Sequence, residues 1–252
     1  MKYMKNLTIV IAILLLFSGS LLSQEINKGL YITFKGGLTL ANQYGRDVES
    51  ETQLNSNPPS FYANQPASNK LKSGINIGSL FEYRFNNRYS LGLCIGYIQK
   101  GSAINANKHF NNTTQSYESV NGKVNWNQNY WTADIPLKLY LPAKQNGFNL
   151  LGGFSYGHLA NSIEKGDIEI AGINYEYTRD RWANKNEIGF ILGCGYNYLI
   201  PNTNSNLIIE FIWNRSFYES IGADFIPTRL KYFNQTFNIN LGYKLGLNKN
   251  KK

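Results

Sequence analysis

Eight stretches of this chain alternate between apolar and polar residues, and a period of two restricts each to a β-strand with one greasy and one polar face. The stretches cover 30–40, 74–84, 89–100, 129–141, 147–159, 186–199, 206–215 and 235–247. In the fourth, Trp131, Ala133, Ile135, Leu137 and Leu139 share one face, while Tyr130, Thr132, Asp134, Lys138 and Tyr140 share the other. The connections alternate in length. Segments 85–88, 142–146 and 200–205 are short; 41–73, 101–128, 160–185 and 216–234 are long and rich in Asn, Ser, Gly and charge. Short turns at one end and long loops at the other describe an up-and-down antiparallel barrel.

Which face meets water decides the kind of barrel. Charged residues make up 16% of the chain, well below the usual quarter of a soluble domain. The apolar faces carry Phe34, Phe81, Tyr83, Trp131, Phe154 and Trp213, a bulky set for the narrow interior of an eight-stranded barrel. The opposite faces carry Lys35, Glu82, Asp134, Lys138, Glu187, Glu210 and Lys244. Charges of both signs packed along one axis can pair and so limit their desolvation cost. In lipid a closed barrel satisfies every backbone group. The expected fold is therefore all-β: an eight-stranded antiparallel transmembrane β-barrel with four long extracellular loops, short periplasmic turns and those seven charges as an interior network.

The first residues read as a secretory signal. Lys2 and Lys5 precede the apolar run Ile9 to Phe17, which is too short to span a bilayer, and small residues follow. Residues 1–23 are the expected signal peptide and 24–252 the barrel domain, with export to the outer membrane. The net charge of +9 does not indicate nucleic acid, since no basic motif accompanies it. Cys94 and Cys194 fall on opposite parities of non-adjacent strands and read as free thiols. Two histidines, His109 and His158, with no Cys or His at ligand spacing, give no metal or cofactor site.

Several short motifs, in order, carry a resemblance to a known group. They are Phe34-Lys35-Gly36-Gly37-Leu38, Gly74 to Gly78, Tyr89-Ser90-Leu91 leading to Tyr97-Ile98-Gln99-Lys100-Gly101, and Asp134-Ile135-Pro136-Leu137. Glu187-Ile188-Gly189 leads on to Gly193-Cys194-Gly195-Tyr196, and Leu241-Gly242-Tyr243-Lys244-Leu245 closes the series. In this order the chain resembles the PorT-type outer-membrane β-barrel family from about residue 30 to 247. The fourth motif departs from the family, which more often has Glu where Asp134 stands. The resemblance implies an outer-membrane barrel and no single activity; the family's founding member is tied to protein secretion. The last strand is also similar to the signal read by the barrel-assembly machinery, on Asn240, Gly242, Leu245 and Leu247, although the usual terminal aromatic is Leu247 here.

Function is expected in the loops, where a rigid scaffold usually carries it. The leading reading is a non-enzymatic barrel with a structural or binding role. Its expected partners are outer-membrane lipid, lipopolysaccharide, the assembly machinery and an extracellular or secretion-system protein. Loop 160–185 mixes Glu164, Asp167, Glu169, Glu176 and Asp180 with Lys165, Arg179, Arg181 and Lys185, and adds Tyr175 and Trp182. One alternative is a small solute or ion pore. A second is a lipid-modifying enzyme at the rim, using the lipid-facing His158; Ala160 stands where a partnering Ser would be needed, and Ser162 and Glu164 are assigned to a loop. His109, among Asn and Thr, is expected in solvent.

Overall fold

A computed structural model describes residues 28–141, 147–217, 220–221 and 231–247. The expected signal peptide lies outside them. In chain order the strands are β1 (Gly29–Tyr44), β2 (Glu51–Asn55), β3 (Tyr62–Ala63), β4 (Lys72–Arg84), β5 (Tyr89–Asn111) and β6 (Ser116–Leu141). They continue as β7 (Gly147–Ile170), β8 (Ile173–Asp180), β9 (Asn186–Leu199), β10 (Ser205–Ser216), β11 (Ser220–Ile221) and β12 (Lys231–Gly246). Eight of these close a ring. β1 pairs with β4, β4 with β5, β5 with β6, β6 with β7, β7 with β9, β9 with β10, β10 with β12, and β12 with β1. Every pairing in the ring is antiparallel. The chain is an eight-stranded antiparallel β-barrel.

Its lower part has the polarity expected from the alternation. Leu38 (63% exposed), Ile77 (64%), Trp131 (59%), Phe154 (68%) and Leu241 (66%) point outward. On β6 the apolar belt runs from Trp131 to Leu141, roughly ten residues at about 3.3 Å each, which at a tilt of about 40° gives about 25 Å, the height of a bilayer's apolar band. Tyr83, Phe85, Phe148 and Tyr198 edge the belt near the short turns; Trp131, Tyr156 and Trp213 lie toward its other margin. The 85–88 turn is held by Asn86, whose Oδ1 accepts hydrogen bonds from the amides of Arg88 (2.8 Å) and Tyr89 (2.9 Å).

Above the belt the structure departs from the sequence reading. Segments 101–128 and 160–185 are not irregular loops. β5 and β6 stay paired as far as Asn111 opposite Ser116, and β7 turns back at Ala171-Gly172 to pair with β8. Both turn residues have positive φ, 50° and 80°, as a tight two-residue hairpin requires. Inside the 41–73 connection, β2 pairs with β3 and runs parallel to β5. These extensions escape a search for one continuous greasy face because the greasy side changes. Below, inward positions of β6 are Asp134 and Lys138; above, they are Val120, Val124 and Trp126. Bulges at Ala106/Lys108 and at Asn129/Tyr130 also break the parity on which the sequence pattern depends.

The result is a second, water-facing lobe with a core of its own. Leu54, Phe61, Ala63, Ile104, Ala106, Val120, Val124, Ile168 and Tyr177 pack together, with Ile170 and Tyr175 against them. Phe61 from the β2–β3 hairpin is its centre, edge-on to His109 (centroids 5.2 Å apart) and to Tyr175 (5.8 Å). Replacing Phe61 by Ala should cost about 3–5 kcal/mol locally. We expect faster hydrogen exchange over 51–63 while the heat-modifiable gel migration of the barrel persists; loss of both together would show that lobe and barrel are one cooperative unit.

Candidate functional site

The lumen is filled by side chains in layers. At the short-turn end, Arg84 lies over the Tyr140 ring, 4.2 Å from its centroid. The Tyr140 hydroxyl donates to Glu82 Oε1 (2.5 Å), which also accepts from Lys244 Nζ (2.7 Å). Lys138 Nζ bridges upward, 3.6 Å from Glu82 Oε2 and 2.6 Å from Glu210 Oε1. Lys35 Nζ completes the run at 2.9 Å from Glu210 Oε2. Five of the charges read from the sequence thus form one ladder drawn from β1, β4, β6, β10 and β12. Arg84, the last residue of the second sequence stretch and on its polar face, ends β4 as a buried residue at the foot of this ladder.

Two of the seven sit elsewhere. Asp134 is half-buried above the ladder and accepts a hydrogen bond from Ser155 Oγ (2.6 Å), which in turn accepts from Asn214 Nδ2 (2.9 Å). Glu187 belongs to a higher layer, paired with Lys100 at 2.5 Å and accepting from Asn234 Nδ2 at 2.8 Å. Lys100 escaped the sequence search although it shares the inward parity of Ser90 and Cys94. Asn234 continues to Gln128 (2.9 Å), and Gln43 receives Ser102 Oγ (2.7 Å). Trp126, hydrogen-bonded to Ser162 Oγ (2.8 Å), stacks edge-on with Tyr232 and closes this layer under the apolar lobe. Between the ladder and the Lys100 layer a cavity of about 50 Å³ remains, lined by Lys35, Asn76, Asp134 and Asn238 among others. That is room for roughly one water, whose share of the liquid is about 30 Å³.

Two further corrections concern the lobe. Ser162 and Glu164 lie in β7 and are buried, not in a loop. Glu164 is a bracket between hairpins: its Oε1 accepts from the Ala63 amide (2.7 Å) and the Tyr177 hydroxyl (2.6 Å), and Arg181 Nε lies 3.0 Å from Oε2. Burial, reinforced by the Glu164 carboxylate, pushes the Tyr177 phenol far above its ordinary value, so it stays a donor. Glu164 is therefore not available to a partner. His109, expected in solvent, is 2% exposed; its Nε2 lies 2.7 Å from the Ser56 carbonyl and Nδ1 3.7 Å from Glu118. The aromatic residues the lobe exposes most are Trp182 (73%) and Tyr117 (61%).

At the rim, His158 is outward and exposed, with Nδ1 3.0 Å from Asn186 Oδ1. No nucleophile or carboxylate is hydrogen-bonded to it among the described residues. No group of three or more His, Cys, Asp or Glu able to hold a metal occurs among them either. Cys94 is buried, Cys194 exposed, and both are free. On β12, Asn240 is buried in the lumen, and a side chain at Gly242 would meet Ile208 Cγ1 at 2.8 Å and the Phe34 carbonyl at 2.9 Å; Leu247, just past the strand, is exposed. Gly242 thus has a packing reason independent of any assembly signal.

No family model matches the chain, and no curated protein matches it. Solved structures similar to it include Ail, the attachment invasion locus protein of Yersinia pestis, bound to the heparin analogue sucrose octasulfate. That comparison has 10% identity, 86% of this chain, 99% of the other and a TM-score of 0.39. Another is outer membrane protein W of E. coli, at 11% identity, with 86% and 98% covered and a TM-score of 0.39. The Escherichia coli outer membrane protease OmpT is similar at 14% identity, with 90% and 99% covered and a TM-score of 0.36.

Removing one member of the ladder leaves the others buried without compensation. Glu210→Ala should destabilise the barrel by about 3–5 kcal/mol, read as a lower temperature for the shift between folded and unfolded gel mobility. An unchanged transition would mean that Lys35 and Lys138 find other partners.

Proposed function

We propose that the chain is a sealed, non-catalytic outer-membrane barrel of the PorT type that holds a rigid extracellular lobe for contact with a partner or ligand. The observation that carries this reading is the filling of the lumen from end to end: ion-pair ladder, polar layer, then apolar core. An eight-stranded barrel has an interior that side chains can fill, and each layer here uses them to do so. A conducting path would have to break ion pairs whose members are almost wholly out of water.

The belt supports an outer-membrane location. A band of exposed Leu, Ile and Phe about 25 Å tall, edged by Tyr and Trp, is stable only against acyl chains. The lobe above it is built like a soluble domain, which suits the aqueous side. Interaction then falls to the lobe's outward residues, with Trp182 and Tyr117 as exposed aromatic anchors of the kind that dominate binding surfaces.

In planar bilayers the purified protein should show no steady single-channel conductance. Discrete, reproducible openings would overturn the sealed-scaffold reading and favour a pore. Photo-crosslinking from position 182 or 117 in native outer membrane should capture one discrete partner. His158→Ala should leave the lipid A and phospholipid composition of the membrane unchanged; an altered lipid profile in that variant would establish the enzyme reading instead.

A further inference from the structure

The outer wall carries a groove just above the apolar belt, with a volume of about 690 Å³. It begins at Leu40 on β1, crosses the top of β4 at Leu71 and Lys72, and reaches Lys123 and Asn127 on β6 and Lys165 on β7. Its place is defined by a lapse in the barrel wall. The β4–β5 ladder ends at Asn76 opposite Ile98, and only an isolated bridge, Lys70 to Ala103, rejoins the two chains higher up. In between, the Ile75 amide donates to the Gln99 side chain (Oε1, 3.2 Å) instead of to a backbone carbonyl. β5 turns at Gly101, with φ +109°, where an added Cβ would sit 1.9 Å from the Trp126 carbonyl.

Lys72 lines the groove although its strand parity points inward. Lys72 is 9% exposed, and neither it, Lys123 nor Lys165 has an ion-pair or hydrogen-bond partner for its ammonium among the described residues. Elsewhere in the molecule buried lysines are matched: Lys35, Lys100, Lys138 and Lys244 each meet a carboxylate. Three lysines without an ion-pair partner line one concave site, and even with Asp167 opposite Lys123 in the ladder they leave it with an excess of positive charge that suits an anion. The same site has exposed aliphatic walls, Leu40 (40%) and Leu71 (53%), and lies directly above the outward Trp131–Tyr97 pair, whose centroids are 5.3 Å apart. An anion that is only an anion has no use for those leucines. A lipid with a phosphorylated headgroup uses both: phosphate among the lysines, acyl chain along Leu71 and Leu40 into the belt.

We propose that this groove binds the phosphorylated headgroup of an outer-leaflet lipid, held by Lys72, Lys123 and Lys165 and seated on Leu40 and Leu71. The proposal rests on the membrane placement given above, and not on the sealed lumen or on any partner of the lobe.

Native mass spectrometry of the detergent-solubilised full chain, titrated with diphosphorylated lipid A and separately with its dephosphorylated form, tests it. The phosphorylated lipid should bind one-to-one and the dephosphorylated form at least tenfold more weakly. Near an anionic surface each lysine is worth about 1 kcal/mol, about fivefold, so K123Q/K165Q should weaken binding about thirtyfold. K108Q, an exposed lysine outside the groove, should change nothing. Millimolar inorganic phosphate should not compete, because it lacks the acyl chain. Equal binding of the two lipids, no effect of K123Q/K165Q, or full competition by phosphate would each overturn the proposal. Heat-modifiable migration of every variant checks that the barrel is folded, and failure of the membrane placement would appear separately as failure of the wild type to insert into liposomes.

Discussion

Closure of the ring is the constraint on which everything else rests. β1 and β12 pair without interruption from Tyr31 opposite Gly246 to Tyr44 opposite Phe233, so the first and last barrel strands satisfy each other's backbone groups. In an apolar medium an open edge would leave a row of amides and carbonyls without partners, each costing several kcal/mol. A closed sheet removes that cost, and only then can the outer face consist of bare Leu, Ile and Phe.

Closure with eight strands makes the lumen narrow, and narrowness dictates its chemistry. Inward side chains meet across the axis rather than facing solvent. A charge placed there must find an opposite charge on another strand, and it does: Glu82 from β4 meets Lys138 from β6 and Lys244 from β12, and Glu210 from β10 meets Lys138 and Lys35. The ladder crosses the barrel repeatedly. It therefore ties together strands far apart in sequence, in a way that local hairpin contacts cannot.

The same strands obey the opposite rule once they leave the belt. β5, β6 and β7 continue upward, but their inward residues become Ile104, Val124 and Ile168 while their outward ones become Asn, Lys and Asp. Solvent has changed from acyl chain to water, so the hydrophobic effect now favours apolar residues inside. The β2–β3 hairpin supplies Leu54, Phe61 and Ala63 as a lid on that core, and Glu164 fastens it. The seam between β4 and β5 lies where the two regimes meet, and the groove beside it is lined by Leu40, Leu71 and three lysines that make no ion pair among the described residues.

Much of the barrel was legible in the sequence. The period of two reports strand and face directly, because successive side chains on a strand point to opposite sides, and so the eight spans and the inward parity of Lys35, Glu82, Lys138, Glu210 and Lys244 could be read off one residue at a time. The polar lengths of β5, β6 and β7 could not. Their alternation is interrupted by bulges, and their greasy side is reversed, so a local pattern carries no sign of continuing strand. Pairing was equally hidden: Lys100 with Glu187, Glu164 with the Ala63 amide, and the burial of His109 depend on residues far apart in the chain brought together only by the closed ring. The sequence by itself determined which faces are apolar and that eight strands form the barrel wall, since those follow from the local alternation. Tertiary structure alone decided who pairs with whom across the axis and where the wall opens, because barrel register, not local order, sets those distances.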